Sequence, residues 1–193
     1  MKNIAIFASG SGTNAENIIK YFSNGTAARV CLVLSNRREA YVLKRAASLN
    51  VKSAFFDRKD FYEEGTVMNL LREHRVDFIV LAGFLWLVPS DILASFENRI
   101  VNIHPALLPG YGGRGMYGDR VHEAVIRAGE KQSGITIHYV NSEYDAGDII
   151  FQAVCPVLEG DTPADVAARV HALEYKHFPL VIEELVRKLP DLP

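Results

Sequence analysis

The sequence predicts an α/β protein built on an open, doubly wound, mostly parallel sheet, with an antiparallel hairpin near the C-terminus. Three observations carry this. Short apolar runs alternate with segments whose apolar residues recur at helical spacing, the β-α-β pattern of a parallel sheet. The run Phe78-Ile79-Val80-Leu81 is apolar at every position, as in a strand covered by helices on both faces. Late in the chain, two strand-like runs are joined by a seven-residue turn at 141–147 and look like a hairpin, which makes the sheet mixed.

The elements follow in order. Residues 3–9 are a mostly apolar run ending at glycines and read as a buried strand. From Thr13 the period changes: Ala15, Ile18, Ile19 and Phe22 fall at i, i+3, i+4 and i+7, the core stripe of a helix. Residues 30–34 form a second strand. Residues 40–49 form a helix with Leu43, Ala46 and Ala47 on one side, and residues 53–56 a third strand. Asp60 is expected to cap a helix carrying Val67, Leu70 and Leu71. Residues 77–84 hold the fourth strand, 89–96 a short helix and 99–104 the fifth strand. The hairpin strands lie at 133–140 and 148–157. Thr162-Pro163-Ala164-Asp165 is a strong helix start, with Thr162 as cap, Pro163 at the first position and Asp165 near the amino end. Val166, Val170, Leu173 and His177 share the face that follows. Pro179 is expected to kink or end that helix, and the prolines at 190 and 193 to fray the tail.

A chain of 193 residues, 49% apolar, fits a single globular domain. The net charge of −2 offers no electrostatic footprint for nucleic acid or an anionic membrane. Arg37-Arg38 reads as a solvated turn. No apolar run approaches the roughly 20 residues of a membrane span. Cys31 and Cys155 sit in apolar runs and read as buried, reduced thiols. The chain opens directly on a strand, so no leader and a cytoplasmic location are expected.

Two segments carry chemistry. Ser9-Gly10-Ser11-Gly12-Thr13-Asn14-Ala15 joins the first strand to the first helix. Glycines let backbone approach a ligand closely, and free N–H groups at a helix start attract phosphate. The spacing also satisfies the dinucleotide fingerprint, but the second strand ends in Ser35-Asn36-Arg37-Arg38 with no acidic residue for a ribose. A small phosphorylated ligand is the preferred occupant. The fifth strand ends Val101-Asn102-Ile103-His104-Pro105. Residues two apart in a strand face the same side, so Asn102 and His104 project together at a carboxyl end, where open α/β sheets bind ligands. The Asn amide can donate to an oxyanion, and the His can donate and move a proton. The turn Glu143-Tyr144-Asp145-Ala146-Gly147-Asp148 supplies carboxylates, and spacing does not choose among the three. His138 is a further polar group in an apolar run.

Asn102-x-His104-Pro105-Ala106-Leu107-Leu108-Pro109 resembles the signature of the folate-dependent formyltransferases. The glycine turn, Leu81-Ala82-Gly83-Phe84, Asp145-Ala146-Gly147 and a last helix with Glu174 follow that family's order. The resemblance runs from Ile4 to about Val186. It implies a Rossmann-like formyltransferase fold in one domain, with residues 1–100 as the phosphate-substrate-binding half and 101–193 as the catalytic and folate-binding half. It implies transfer of a formyl group from 10-formyltetrahydrofolate, the co-substrate, to the amine of glycinamide ribonucleotide, with no metal. It selects Asp145 as the third catalytic residue, expected to raise the pKa of His104. By the same resemblance, Gly12, Thr13 and Asn14 hold the ribose phosphate, and His171 and Glu174 lie near the glycinamide. Arg58, Leu85, Trp86, Leu87, Val88, Asn141, Ser142, Glu143 and Tyr144 match folate-contacting positions. No nucleic acid or membrane partner is implied, and the chain is expected to be a monomer or homodimer. The segment 110–118 departs from the pattern. It has Gly110 where many relatives carry lysine, and five glycines in nine residues imply a mobile loop near the site. His171 stands where glutamine is common.

Overall fold

The computed structural model describes residues 1–25 and 27–190. Seven strands form one sheet: β1 (Lys2–Phe7), β2 (Ala28–Ser35), β3 (Lys52–Phe55), β4 (Phe78–Leu81), β5 (Ile100–His104), β6 (Gln132–Tyr139) and β7 (Ile149–Pro156), in the order β3-β2-β1-β4-β5-β6-β7. Pairing is parallel from β3 to β5. It is antiparallel from β5 to β7, so the reversal begins one strand before the hairpin.

The helices are α1 (Thr13–Ser23), α2 (Tyr41–Ser48), α3 (Arg58–Tyr62), α4 (Thr66–Glu73), α5 (Ser90–Ser95), α6 (Asp119–Arg127) and α7 (Pro163–Lys188). Alternate strand residues serve two cores. Ile4, Ile6, Val80 and Val101 pack with Ala15 and Ile18 of α1 and Val170 and Phe178 of α7. Ala5, Phe7, Ile79 and Leu81 pack with Val67 and Leu71 of α4 and Ile92 of α5. Each face of the sheet is therefore covered, which is why the inner strands read as continuous apolar runs.

Strand order reverses between β1 and β4, so their carboxyl ends open onto a crevice. Two bonds lock its sides together: Ser9 N–H donates to Gly83 O at 3.0 Å, and Leu85 N–H to Ser9 Oγ at 3.1 Å.

Several local expectations are corrected. On α2 the buried stripe is Val42 and Ala46, one turn apart, and Ala47 faces solvent. Asp57, not Asp60, caps a helix: its carboxylate accepts from Lys59 N and Asp60 N, while Asp60 bonds back to Asp57 N. That helix, α3, is only five residues long. Gly65, at φ 68°, interrupts the right-handed path before α4 begins. Met68 rather than Leu70 completes the buried α4 stripe. The sequence reading set no bounds for a helix between the fifth strand and the hairpin, where α6 stands. Cys31 is only partly buried, whereas Cys155 is buried; both are free thiols.

Pro179 does not end α7, which continues to Lys188. A proline leaves the carbonyl four residues back without its helical donor. Here that carbonyl, Tyr175 O, accepts from Asn17 Nδ2 of α1 at 2.9 Å. Burial of Val181, Ile182 and Val186 holds the turns beyond. Pro190 O accepts from Lys2 Nζ and Arg99 Nη2, so the expected fraying does not reach Pro190. Pro193 lies outside the described residues.

Candidate functional site

A cavity of about 730 Å³ opens over the carboxyl ends of β1, β4 and β5. Its size suits a small-molecule site. One end is the glycine turn. Gly12 is the N-cap of α1 at φ 75°, ψ 28°, and no side chain caps the helix. Its first N–H groups are left for a ligand, and the helix dipole favours an anion there. Val42 of α2 packs against the turn so closely that a Cβ on Gly12 would meet Val42 Cγ2 at 2.3 Å. Arg45 Nε donates to Ser11 O at 2.8 Å and also pairs with Glu16. The turn is thus rigid before any ligand arrives.

The other end is a cluster of polar side chains. Asn102 and His104, two apart on β5, project into the same cavity as their strand spacing predicts. Asp145, in the turn between β6 and β7, approaches both. Its Oδ1 is 3.4 Å from Asn102 Nδ2, and its Oδ2 is 3.5 Å from His104 Nδ1 and accepts from Gly113 N–H at 2.9 Å. His138 on β6 completes the cluster. Its Nδ1 lies 2.7 Å from Tyr139 O. A carbonyl only accepts, so Nδ1 carries the proton. Nε2 is then the acceptor for Asn102 Nδ2 at 3.0 Å. Its 3.6 Å approach to Asp145 is too long for a hydrogen bond. Gly147 sits beneath this arrangement: a Cβ there would lie 1.7 Å from Tyr139 O. Gly147→Ala is expected to push away the carbonyl that orients His138. Ligand binding beside Asn102 and His104 should weaken by on the order of tenfold or more, with anion binding at the glycine turn little changed in titrations of the folded variant.

Asp145 pulls the pKa of His104 upward as expected, but the net direction is downward. Burial, at 3% exposure, pushes the imidazolium below its ordinary range. That outweighs the upward pull of Asp145 and of Tyr111 O, which sits 2.7 Å from Nε2. Nε2 therefore donates to Tyr111 O. Asp145 is itself held below the usual carboxylate range. Its burial acts the other way but is outweighed by the neighbouring His138 and His104 and by the Gly113 N–H.

A second polar group lines the cavity beside the glycine turn. Glu174 of α7 is buried, and its Oε2 accepts from Asn14 Nδ2 and pairs with His171 Nδ1, each at 2.9 Å. That bond raises the His171 pKa. His122 of α6 is buried and held low by burial, then by His171.

A buried histidine with a lowered pKa resists protonation in the fold, so its contribution to stability is complete above the unfolded value of 6.5 and declines as pH falls below it. His171, whose pKa is raised, acts in the opposite sense and favours the fold below 6.5. Melting temperature should drop between about pH 7.5 and about pH 5.5. The drop should shrink in His104→Gln, measured by scanning calorimetry.

Residues 2–182 match the formyl transferase family. The chain belongs to that family. It is 38% identical to the chloroplastic phosphoribosylglycinamide formyltransferase of Arabidopsis thaliana over 94% of this chain, and spans 64% of that relative's length. It is 37% identical to phosphoribosylglycinamide formyltransferase of Bacillus subtilis over 96% of this chain and 95% of the relative. The crystal structure of phosphoribosylglycinamide formyltransferase from Streptococcus pneumoniae superposes with a TM-score of 0.84 at 41% identity, covering 96% of this chain and 99% of that one.

Within this member of the family, the residues matched by resemblance fall into place unevenly. Gly12, Thr13, Asn14, Asn102, His104, Asp145, His171 and Glu174 all line the one cavity. Leu85, Trp86 and Tyr144 line its wall, and Trp86, Leu87, Val88, Asn141, Glu143 and Tyr144 line a smaller adjoining pocket of about 50 Å³. That pocket is far smaller than a pterin ring. Tyr144 OH, donating to Leu85 O at 3.4 Å, ties its two walls together. Ser142 and Arg58 line neither space; Arg58 lies over the Trp86 ring, 4.8 Å from its centroid. Arg37, read as a solvated turn, is exposed yet lines the cavity. His122, Arg114 and Tyr117 line it without having been singled out. Arg114 and Tyr117 lie in the 110–118 loop expected near the site, and His122 left a signal of its own, a polar residue between Val121 and Val125 on one helical stripe. Among the described residues, no group of three or more His, Cys, Asp and Glu is arranged to hold a metal ion. No helix among them is long and apolar enough to cross a membrane.

Proposed function

We propose that the chain transfers a formyl group from 10-formyltetrahydrofolate to the amine of glycinamide ribonucleotide, a step of purine biosynthesis. The observation that carries this is a single cavity with an uncapped helix N-terminus at one end and Asn102, His104 and Asp145 at the other. The phosphate rests on the N–H groups of Gly12, Thr13 and Asn14, and Glu174, with His171 beside it, lies along the glycinamide. The neutral amine attacks the formyl carbon. Asn102 Nδ2, whose second N–H is only loosely held by Asp145 at 3.4 Å, donates to the oxyanion. His104, neutral and carrying its proton on Nε2, donates a hydrogen bond to the same oxygen. The amine nitrogen, positively charged once its bond to the formyl carbon has formed, loses one proton, and the departing folate nitrogen gains one as its own bond to that carbon breaks, with His104 relaying the proton as a transient imidazolium. Asp145 stabilises the imidazolium whenever it forms and is not a nucleophile.

Two movements are part of this reading. Tyr111 O must leave His104 Nε2, so the 110–118 loop lifts from the cluster before substrate meets it. Tyr144 must part from Leu85 for the pterin to enter between residues 85–88 and 141–144, with Arg58 at the rim through Trp86. Residues 1–100 would thus be the phosphate-binding half and 101–193 the catalytic and folate half of one domain. Every proposed site residue comes from one chain, so a monomer suffices and a homodimer would hold two such sites. The partners are small molecules, and a cytoplasmic location belongs to the proposal. Mass spectrometry after incubation with both substrates should show N-formylated glycinamide ribonucleotide and tetrahydrofolate. An unmodified ribonucleotide after exhaustive incubation would refute the assignment.

A further inference from the structure

β7 ends the sheet, and among the described residues no strand pairs with its outer side. An open edge is a template for another strand, which proteins blunt with charges, bulges, proline or a covering element. Here those devices stand only at the two ends. The register slips by one residue at Ile150, and Pro156 is the last position. From Phe151 to Cys155 the strand carries no charge. Val157 N–H donates inward to Lys131 O at 2.9 Å, and alternate residues of an antiparallel strand turn their backbone the same way. Gln152 and Val154 therefore offer their N–H and C=O groups to the open side.

The side chains form two sets. Phe151, Ala153 and Cys155 join the core that α7 covers, and Phe151 packs on the His177 ring with centroids 4.9 Å apart. The slip at Ile150 brings Ile149 into step with Gln152 and Val154 on the opposite face, since their partners His138, Thr136 and Gly134 alternate along β6. Gln152 turns its amide inward to Leu108 O and Thr136 Oγ1, whereas Ile149 and Val154 are 49% and 51% exposed. Among the described residues the exposed large aliphatic side chains are Met1, Ile149, Val154, Leu158 and Leu180. Ile149 and Val154 lie on β7, Leu158 just past it, and Leu180 one turn beyond His177 on α7. Exposed apolar surface is thus gathered at this edge, and none of these residues lines the cavity.

The charges at its ends say what the edge accepts. Asp148, at the amino end, is exposed and has no ion pair among the described residues. At the carboxyl end stand Lys131, beside Val157, and Arg169, which donates to Pro156 O at 3.1 Å and is shared with Asp161. A second β7 laid parallel would set Asp148 against Asp148. Laid antiparallel, it brings each Asp148 to the other strand's basic end, and one two-fold axis satisfies both halves.

We infer that the outer edge of β7 is a self-association surface, on which a second copy of this chain adds its own β7 antiparallel so that the two sheets continue as one. The inference does not depend on the formyl-transfer reading. Sedimentation equilibrium of the full chain between about 1 and about 200 µM, a span that brackets micromolar association, should show monomer converting to dimer. Val154→Lys sets a charge on the seam at a side chain that is half exposed in the single chain. It should keep the wild-type circular dichroism and weaken the dimer at least about tenfold. Asp148→Lys should weaken it too, and Tyr41→Ser, an exposed site on α2 at the other end of the sheet, should not. The Gln152 and Val154 amides should exchange with solvent slowly in the dimer and quickly in monomeric Val154→Lys. A wild-type chain that stays monomeric throughout overturns the inference and leaves the edge to a foreign strand. A dimer that survives in folded Val154→Lys, or one whose Gln152 and Val154 amides exchange as fast as in the monomer, also overturns it by placing the contact elsewhere.

Discussion

His104→Ala is expected to lower kcat for formyl transfer by about 10²–10⁴-fold, the range for a positioned acid–base group, with both KM values little changed. His104 is 3% exposed at the floor of the cavity, where water replaces its proton transfer poorly. Asn102→Ala should cost about 10²–10³-fold, as for one oxyanion donor. The effects should not add. Asp145 touches both residues and also fixes Gly113, so a His104→Ala/Asp145→Ala double variant should be scarcely slower than the worse single one. Single-turnover rates with saturating substrates separate this loss from product release. Single-variant rates within a few-fold of wild type would remove these side chains from the chemistry.

Gly12→Ala is expected to be the most damaging conservative change at the phosphate end. The backbone there is at φ 75°, which costs a side-chain-bearing residue about 1–2 kcal/mol. The new Cβ would stand 2.3 Å from Val42 Cγ2 and 2.8 Å from Val42 Cα. Rotating the valine relieves only the first contact. α2 cannot simply retreat, because Val42 N–H donates to Gly10 O at 3.2 Å and Arg45 to Ser11 O. Overpacking adds about 1–3 kcal/mol. Melting temperature should fall, and KM for the phosphoribosyl substrate should rise on the order of tenfold or more as the N–H groups are displaced. Gly10→Ala is the comparison: a Cβ there meets nothing within 4 Å, so its melting temperature should match wild type.

The sheet and most helices were legible because period and burial are local consequences of one another. Ala15, Ile18, Ile19 and Phe22 were read as a stripe and are the buried residues of α1. Asn102 and His104 were legible for the same reason, since strand alternation alone places them together. Asp145 was not, because a turn has no period and three carboxylates stood within six residues; only the resemblance chose it, and the structure places it 3.4 Å from Asn102 and 3.5 Å from His104. The net pKa of His104 was not legible, because sequence shows which charges are near but not how little water reaches the ring. How far α7 runs past Pro179 was not legible for a similar reason: the donor that satisfies the carbonyl freed by the proline comes from Asn17, far away in the chain. The occupation of His104 by Tyr111 O depends on a glycine-rich loop whose path no spacing rule specifies.

The measurement that bears most directly on the central claim is the rate of 10-formyltetrahydrofolate consumption with and without glycinamide ribonucleotide, followed by the absorbance of the folate. Asn102, His104 and Asp145 are read as acyl-transfer machinery that waits for an amine held by the phosphate at Gly12. The account therefore predicts rapid consumption with the ribonucleotide and essentially none without it. Equal consumption in its absence would make water the acceptor and contradict the transfer reading.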